Sequence, residues 1–95
     1  NKPTSKTFGT VEGKIGSRKG NIRVDAEPNS GKIQVQSGSG KAGYTLNEDI
    51  PYTQITDAQS ARNWLDSISK LKKLSNYEKN QLVRYILRAA EFLGT

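Results

Sequence analysis

Residues 21–36, Asn21-Ile-Arg-Val-Asp-Ala-Glu-Pro-Asn-Ser-Gly-Lys-Ile-Gln-Val-Gln36, decide the fold of this chain. Apolar and polar residues alternate on both sides of the turn signal Pro-Asn-Ser-Gly, which predicts a β-hairpin with one buried face and one open face. The buried face takes Ile22, Val24, Ala26, Ile33 and Val35. The open face takes Arg23, Asp25, Gln34 and Gln36. Because these four side chains combine a cation, an anion and two amides, the open face is the first candidate for a functional site.

Two further strands are expected beside this hairpin. Residues 7–15 contain three apolar residues among glycines, a pattern typical of an irregular strand with a bulge or a sharp bend. A short strand is expected around Tyr44 to Leu46, after a glycine-rich loop. Alternation along that strand places Tyr44 and Leu46 inward and Thr45 on the open face.

Helical spacing of apolar residues replaces the alternation after residue 47. One helix is expected over about 57–71, with Thr56 or Asp57 as its N-cap. A second helix is expected over about 76–93, because Ser75 and Glu78 have the spacing of a capping box and Gly94 is a stop signal.

The connection between the two helices, residues 70–74, contains three lysines and is expected to be a solvated turn. The aromatic residues on the helical patterns are expected in the core or in helix contacts, not as a stacking platform for nucleic acid: Trp64, Tyr77, Tyr85 and Phe92.

These elements predict an α+β fold. An antiparallel sheet of about four strands, residues 7–46, would carry two C-terminal helices on one face, and residues 1–95 would form a single domain. The chain begins with Asn, so we expect it to be the C-terminal fragment of a longer protein.

The composition excludes several kinds of site. The chain has no Cys and no His, so the common zinc ligand sets and the usual general base near neutral pH are both missing. No run of acidic residues favours a magnesium or calcium site, and we expect neither a metal nor a cofactor. No apolar run approaches the roughly 20 residues that span a bilayer, so no membrane segment is expected.

The formal net charge of +6 is unevenly distributed along the chain. Residues 1–46 hold eight basic and three acidic residues, whereas residues 47–95 hold seven and six. This bias favours a polyanionic partner on the side of the sheet. The alternative is a basic surface that serves solubility alone.

The open face has the groups that RNA cleavage requires. Asp25 or Glu27 could take the proton of the 2′-hydroxyl group, and Arg23 could hold the phosphate. Gln34 and Gln36 suit either a phosphate or the edge of a base. Further substrate contacts are expected from Lys14, Arg18, Lys19, Lys41 and Thr45. The alternative is a surface ion pair between Arg23 and Asp25 beside two glutamines of no special role.

The run from Arg23 to Gln36, followed by Lys41, Tyr44 and a helical tail ending Ala-Glu-Phe-Leu-Gly94, resembles the C-terminal toxin modules of bacterial polymorphic toxins. Such modules are borne by Rhs, contact-dependent-inhibition and LXG-type proteins. The resemblance extends over residues 20–46 and, more loosely, over residues 75–94. It departs from the family at Gln34, where many modules have His. It also departs in chain order, because the helices here follow the sheet.

The resemblance implies a metal-independent ribonuclease that cleaves RNA, and in particular tRNA, inside a competing bacterial cell. It would be secreted or delivered as part of a larger toxin, act in the cytoplasm of the target cell as a monomer, and be silenced by a cognate acidic immunity protein. The residues that match the motif are Asp25, Gln34 and Gln36, with Arg23 and Lys41 as phosphate contacts.

Two other functions stay open at this point. A nucleic-acid-binding module without catalysis would use the same basic sheet and show salt-sensitive binding. A protein-interaction domain would dock its partner on the helices and would tolerate changes at Arg23 or Asp25.

Overall fold

A computed structural model of the protein describes residues 5–39 and 43–94, with side chains described over residues 5–37 and 46–94. Four strands, β1 (Lys6–Ile15), β2 (Arg18–Glu27), β3 (Lys32–Ser39) and β4 (Gly43–Pro51), form one antiparallel sheet in the order β1-β2-β3-β4. Two helices follow, α1 (Ala58–Ser67) and α2 (Asn76–Leu93). The predicted α+β fold, with its sheet first and its two helices last, is confirmed.

Two tight turns set the register of the sheet. The turn between β1 and β2 has only Gly16 and Ser17 between the paired residues Ile15 and Arg18, and Gly16 has a φ of +63°. A glycine with positive φ at the first central position is typical of the two-residue hairpin turns that match strand twist. The expected turn at residues 28–31 closes with the amide of Gly31 donating to the carbonyl of Glu27 at 2.9 Å.

Strand β1 has the irregularity that its glycines predict. Its pairing with β2 shifts between Thr7 and Gly9, so Phe8 is an extra residue in the strand, as in a β-bulge. The bulge lets Thr7 point to the open face while Gly9 points to the helices. Gly9 lies directly under the ring of Tyr85, because a Cβ built there would be 2.5 Å from ring atoms.

The helices begin where their capping signals predict. Asp57 caps α1 by accepting from the amide of Ser60 at 2.9 Å, and Ser60 returns a capping-box contact. Ser75 and Glu78 form the predicted capping box of α2, with bonds of 3.2 and 2.9 Å. Both boxes satisfy amide groups that a helix start leaves without partners.

Two boundaries differ from the sequence prediction. Strand β4 continues to Pro51, where the prediction ended the sheet at residue 46, and α1 ends at Ser67, with a separate 3-10 turn at Ser69–Leu71. Residues 47–49 are polar and exposed, so β4 lacks the apolar alternation that identified β2 and β3. At the end of α1, the hydroxyl of Ser67 donates to the carbonyl of Trp64, which competes with helix continuation.

The core lies between the inner face of the sheet and the helices. Helix α2 packs over β1 and β2, and α1 packs beside α2. The core includes the five predicted apolar residues of the hairpin, each with 0% exposure, together with Leu46, Ile50, Leu65, Leu71, Leu82 and Ile86. Trp64, Tyr85 and Phe92 pack against this core, but Tyr77 is 72% exposed and the expectation for it is wrong. The opposite face of the sheet is left open.

Candidate functional site

The register of β1, β2 and β3 brings the predicted site residues together. Arg23 lies opposite Gln36, and Asp25 lies opposite Gln34. On the other side of Asp25, strand β1 places Thr7 directly opposite. Directly paired residues project to the same face, so these five side chains form one cluster on the open face, which we call the Asp25 network.

Asp25 is the centre of this network and is buried although it lies on the open face. Its side chain is 7% exposed. One carboxylate oxygen, Oδ1, accepts from the hydroxyl of Thr7 at 2.7 Å. The other, Oδ2, accepts from Nε of Arg23 at 2.9 Å and, at 3.5 Å, from Nε2 of Gln36. A carboxylate offers about four acceptor positions, so one position on Oδ1 is left.

The two glutamines are linked to each other as well. Nε2 of Gln36 donates to Oε1 of Gln34 at 2.8 Å, and Gln36 is only 8% exposed. Because one amide nitrogen of Gln36 bridges Gln34 and Asp25, its orientation is fixed by the network. Gln34 is more accessible than Gln36 and lies nearer to solvent.

Arg23 is the part of the network that faces solvent, with 48% of its side chain exposed. Its Nε is held by Asp25, and its terminal nitrogens meet no other protein group within the described ranges. A planar guanidinium fixed through Nε presents its terminal nitrogens in a defined direction, which suits two-point binding of a phosphate.

Glu27 lies outside the network, although the sequence grouped it with Asp25 as a possible base. It is at the end of β2, where it accepts from the hydroxyl of Ser5 and from the amide of Asn29 at 3.1 Å. The hydrogen bond from Ser5, followed by the one from the Asn29 backbone, lowers the pKa of Glu27 below its usual value of 4.5. In the described part of the chain, Glu27 also makes no hydrogen bond with Arg23, whereas Asp25 binds Arg23 directly, so Asp25 is the better-placed candidate.

Three of the five predicted substrate contacts lie near the turn between β1 and β2, and the other two fall outside the described side chains. Lys14 and Lys19 are paired across β1 and β2 near the turn, and Lys19 forms an ion pair with Glu12 at 3.3 Å. Arg18 is exposed at the same end of the sheet. Lys41 and the side chains of Tyr44 and Thr45 lie outside the described residues.

The expectation of a positive open face does not hold for the part of the chain that the structure describes. The register assigns four cations and four carboxylates to that face: Lys14, Lys19, Arg23, Lys32, Glu12, Asp25, Glu27 and Asp49. The excess positive charge of residues 5–39 and 43–94 therefore lies elsewhere, mainly in the connection between the two helices, at Lys70, Lys72 and Lys73. Any anion that binds at the network is attracted by Arg23 locally.

Sequence reasoning missed Thr7. The bulge at Phe8 moves Thr7 onto the open face, whereas simple alternation from Val11 back along β1 would have placed it on the inner face. The glycines of β1 signalled a bulge, and pairing β1 with β2 through that bulge would have identified Thr7.

Comparison of the chain with protein-family models, curated proteins and solved structures found no match. Among the described residues, no three His, Cys, Asp or Glu side chains are grouped as metal ligands. No helix within those ranges is long and apolar enough to cross a membrane. The Asp25 network and the charges around it are therefore the features of the molecule from which a function can be inferred.

Proposed function

We propose that this chain is an RNA-cleaving toxin domain that works without a metal ion, with the Asp25 network as its site. The expected substrate class is tRNA in the cytoplasm of a competing bacterial cell, and a cognate acidic immunity protein would neutralise the domain. The observation that carries the proposal is the Arg23 guanidinium, fixed through Nε on Asp25 and exposed at its terminal nitrogens.

In this proposal the network divides the chemistry among four side chains. Arg23 holds the scissile phosphate and stabilises the negative charge that develops on it, a task that a metal ion performs in other nucleases. The remaining acceptor position on Oδ1 of Asp25 takes the proton of the attacking 2′-hydroxyl group, whose oxygen bonds to phosphorus as the bond from phosphorus to the 5′-oxygen breaks. The departing 5′-oxygen takes its proton from solvent water, and a 2′,3′-cyclic phosphate is left. Gln36 keeps both groups in place, and Gln34 orients the nucleotide.

A second function is favoured by the burial of Asp25. Both of its oxygens accept hydrogen bonds, and its side chain is 7% exposed. A carboxylate in that state suits the positioning of Arg23 at least as well as proton transfer. If positioning is its whole task, the domain binds RNA phosphates without cleaving them.

Incubation of the purified domain with total RNA, with and without EDTA, separates these functions. We expect discrete tRNA fragments that persist in EDTA and disappear in Arg23→Ala and Asp25→Asn variants. Asp49→Asn is the matched control, because it removes a carboxylate from the same face outside the network. Thermal unfolding of each variant checks that the fold is retained.

Intact RNA at high protein concentration would reject the ribonuclease. Salt-sensitive binding of the same RNA would then favour the binding module. If neither cleavage nor binding occurs and only changes on α1 or α2 impair a partner contact, the domain is a protein-interaction module.

A further inference from the structure

The connection between the two helices lies against the turn between β1 and β2. The amide of Gly16 donates to the carbonyl of Lys70 at 2.8 Å, although 54 positions separate the two residues. Consecutive Cα atoms are 3.8 Å apart, so residues two positions from this contact lie within about 8 Å of it along the chain. Arg18 and Lys72 therefore lie at the same end of the molecule.

This contact gathers six cations at one end of the molecule, which we call the basic end: Lys14, Arg18, Lys19, Lys70, Lys72 and Lys73. All six residues are exposed. Two carboxylates lie among them, Glu12 paired with Lys19 and Glu78 near Gly13. Within the described ranges, no carboxylate forms an ion pair with Arg18, Lys72 or Lys73. The basic end therefore carries most of the +6 net charge of the chain.

The chemistry of the basic end fits the phosphates of an RNA better than other polyanionic surfaces. Its apolar residues, Ile15, Leu71 and Leu74, are buried, so it offers a membrane no apolar anchor. Protein interfaces are poor in lysine and rich in aromatic residues. The exposed aromatic residue nearest to these lysines along the chain is Tyr77, four positions after Lys73, and a single ring beside several lysines suits stacking on an RNA base. Mobile lysines without base-reading groups suit a flexible phosphate backbone, whose binding depends on charge and on salt.

We propose that the basic end is an RNA-docking surface that binds the backbone beyond the nucleotide held at Arg23. This inference rests on the proposed function and extends it to Lys70, Lys72 and Lys73. Strand β2 connects the two regions, because Lys19 lies four positions before Arg23, about 14 Å along the strand, and both project to the open face. Lys14 is paired with Lys19 on that face, whereas Arg18 is paired with the buried Ile15 and projects to the other face.

The test measures RNA affinity separately from cleavage. The probe is a fluorescent single-stranded oligouridylate with 2′-O-methyl groups, which lacks the nucleophile for cleavage, and binding is followed by anisotropy. The variant Lys72→Gln/Lys73→Gln is compared with Arg84→Gln/Arg88→Gln, which removes the same charge from an exposed face of α2. Titrations between about 50 and 200 mM salt give the salt dependence.

We expect the lysine variant to bind the probe about tenfold more weakly than wild type near 0.1 M salt. The slope of the logarithm of the binding constant against the logarithm of the salt concentration should become about 1.4 less steep, because each lost phosphate contact with a single strand accounts for about 0.7. The arginine variant should keep most of its affinity and slope. Equal losses in both variants would show a net-charge effect without a docking surface, and unchanged binding in the lysine variant would also overturn the inference.

Two further results separate this inference from the proposed function. If wild-type protein binds the probe through the basic end but leaves RNA intact, the ribonuclease fails and the docking surface stands. If RNA is cleaved through the Asp25 network while the lysine variant binds normally, the docking surface fails alone.

Binding of phosphatidylserine vesicles that depends on Lys72 and Lys73, with RNA binding unaffected, would assign the basic end to membranes and overturn the inference.

Discussion

At the scale of single residues, the open face is organised around one buried carboxylate. Asp25 accepts hydrogen bonds from side chains on three strands: Thr7 on β1, Arg23 on β2 and Gln36 on β3. The effect is to fix an arginine in a defined orientation on a surface where arginines are usually mobile. This fixed arginine is what distinguishes the face from an ordinary solvated one.

Thr7 tests how the network positions Arg23. In Thr7→Val, Oδ1 of Asp25 loses its donor at nearly constant side-chain volume, and we expect a loss of about 1 kcal/mol in the free energy of unfolding. The rate of RNA cleavage should also fall, because an Asp25 side chain that is free to rotate no longer holds Arg23 in place. Thr53→Val serves as the control, since Thr53 is exposed and lies outside the sheet. Urea denaturation and a cleavage assay measure the two effects, and equal losses in both variants would contradict this role of Thr7.

Gly9 allows β1 to approach α2. In Gly9→Ala, the new Cβ would lie 2.5 Å from the ring of Tyr85, so we expect a destabilisation of about 1–3 kcal/mol in urea denaturation. Gly20→Ala is a milder control, because its Cβ would meet Ile15 and Ser37 at 3.2 and 3.3 Å. Pairing Gly9→Ala with Tyr85→Leu should recover part of the loss. Independent, additive effects of the two changes would argue against this contact.

At the scale of elements, local signals in the sequence predicted the helices and the central hairpin well. Capping residues and strict alternation are short-range patterns, and both are visible without tertiary information. The sequence prediction ended β4 too early, at residue 46, because residues 47–49 are polar on both faces of the sheet. Glu48 pairs with Val35 on the inner side and is still exposed, a sign that the cover over the sheet is incomplete there.

The capping box of α2 should contribute measurably to stability. Ser75→Ala removes the acceptor for the amide of Glu78, and we expect it to lower the free energy of unfolding by about 1 kcal/mol. Ser75→Asn keeps a capping oxygen and should cost little. Chemical denaturation of both variants checks this, and equal stability of Ser75→Ala and the wild type would contradict the prediction.

Asp66 links the two helices in a pH-dependent way. It accepts from Nζ of Lys79 at 3.0 Å, and it pairs with Arg62 at 3.4 Å. The hydrogen bond from Lys79, together with the charges of Lys79 and Arg62, lowers the pKa of Asp66 below its usual value of 3.8. A lowered pKa in the folded state means that Asp66 stabilises the fold above about pH 3.8, and that this contribution is lost as the pH falls through the folded-state pKa.

The stability difference between wild type and Asp66→Asn should therefore be present at neutral pH and shrink in acid. Urea denaturation at a series of pH values measures it. Asp49→Asn is the control, because Asp49 forms no ion pair among the described residues. A difference that stays constant down to the lowest pH would show that the ion pairs do not contribute.

At the scale of the whole molecule, charge was the property that sequence reasoning placed least well. Counting along the chain located the excess in the strand-rich half, but the register balances cations and carboxylates on the open face. The lysines of the helix connection, expected only as a solvated turn, lie beside the turn between β1 and β2. Such long-range neighbours have no local signature, so the basic end could not be derived from spacing alone. The contact of Thr7 with Asp25 had a local signal in the glycines of β1, but finding it also required the pairing of β1 with β2.

In the function proposed here, the site and the basic end give RNA one path along β2. Arg23 would mark its reactive position, and the cations near Gly16 would bind the backbone beyond it. The fold leaves room for such a path, because both helices pack on the inner face of the sheet and neither covers the outer face over the described residues.

Cleavage of a tRNA substrate in EDTA, beside the same sequence with 2′-deoxy sugars, decides whether the Asp25 network is a ribonuclease site when wild-type, Asp25→Asn and Asp49→Asn proteins are compared. We expect wild type and Asp49→Asn to cut only the RNA and to leave 2′,3′-cyclic phosphate ends, because the 2′-hydroxyl group is the nucleophile. Folded Asp25→Asn should cut neither substrate. Cleavage of the deoxy substrate, full activity in Asp25→Asn, or no cleavage by the wild-type protein would rule out this site.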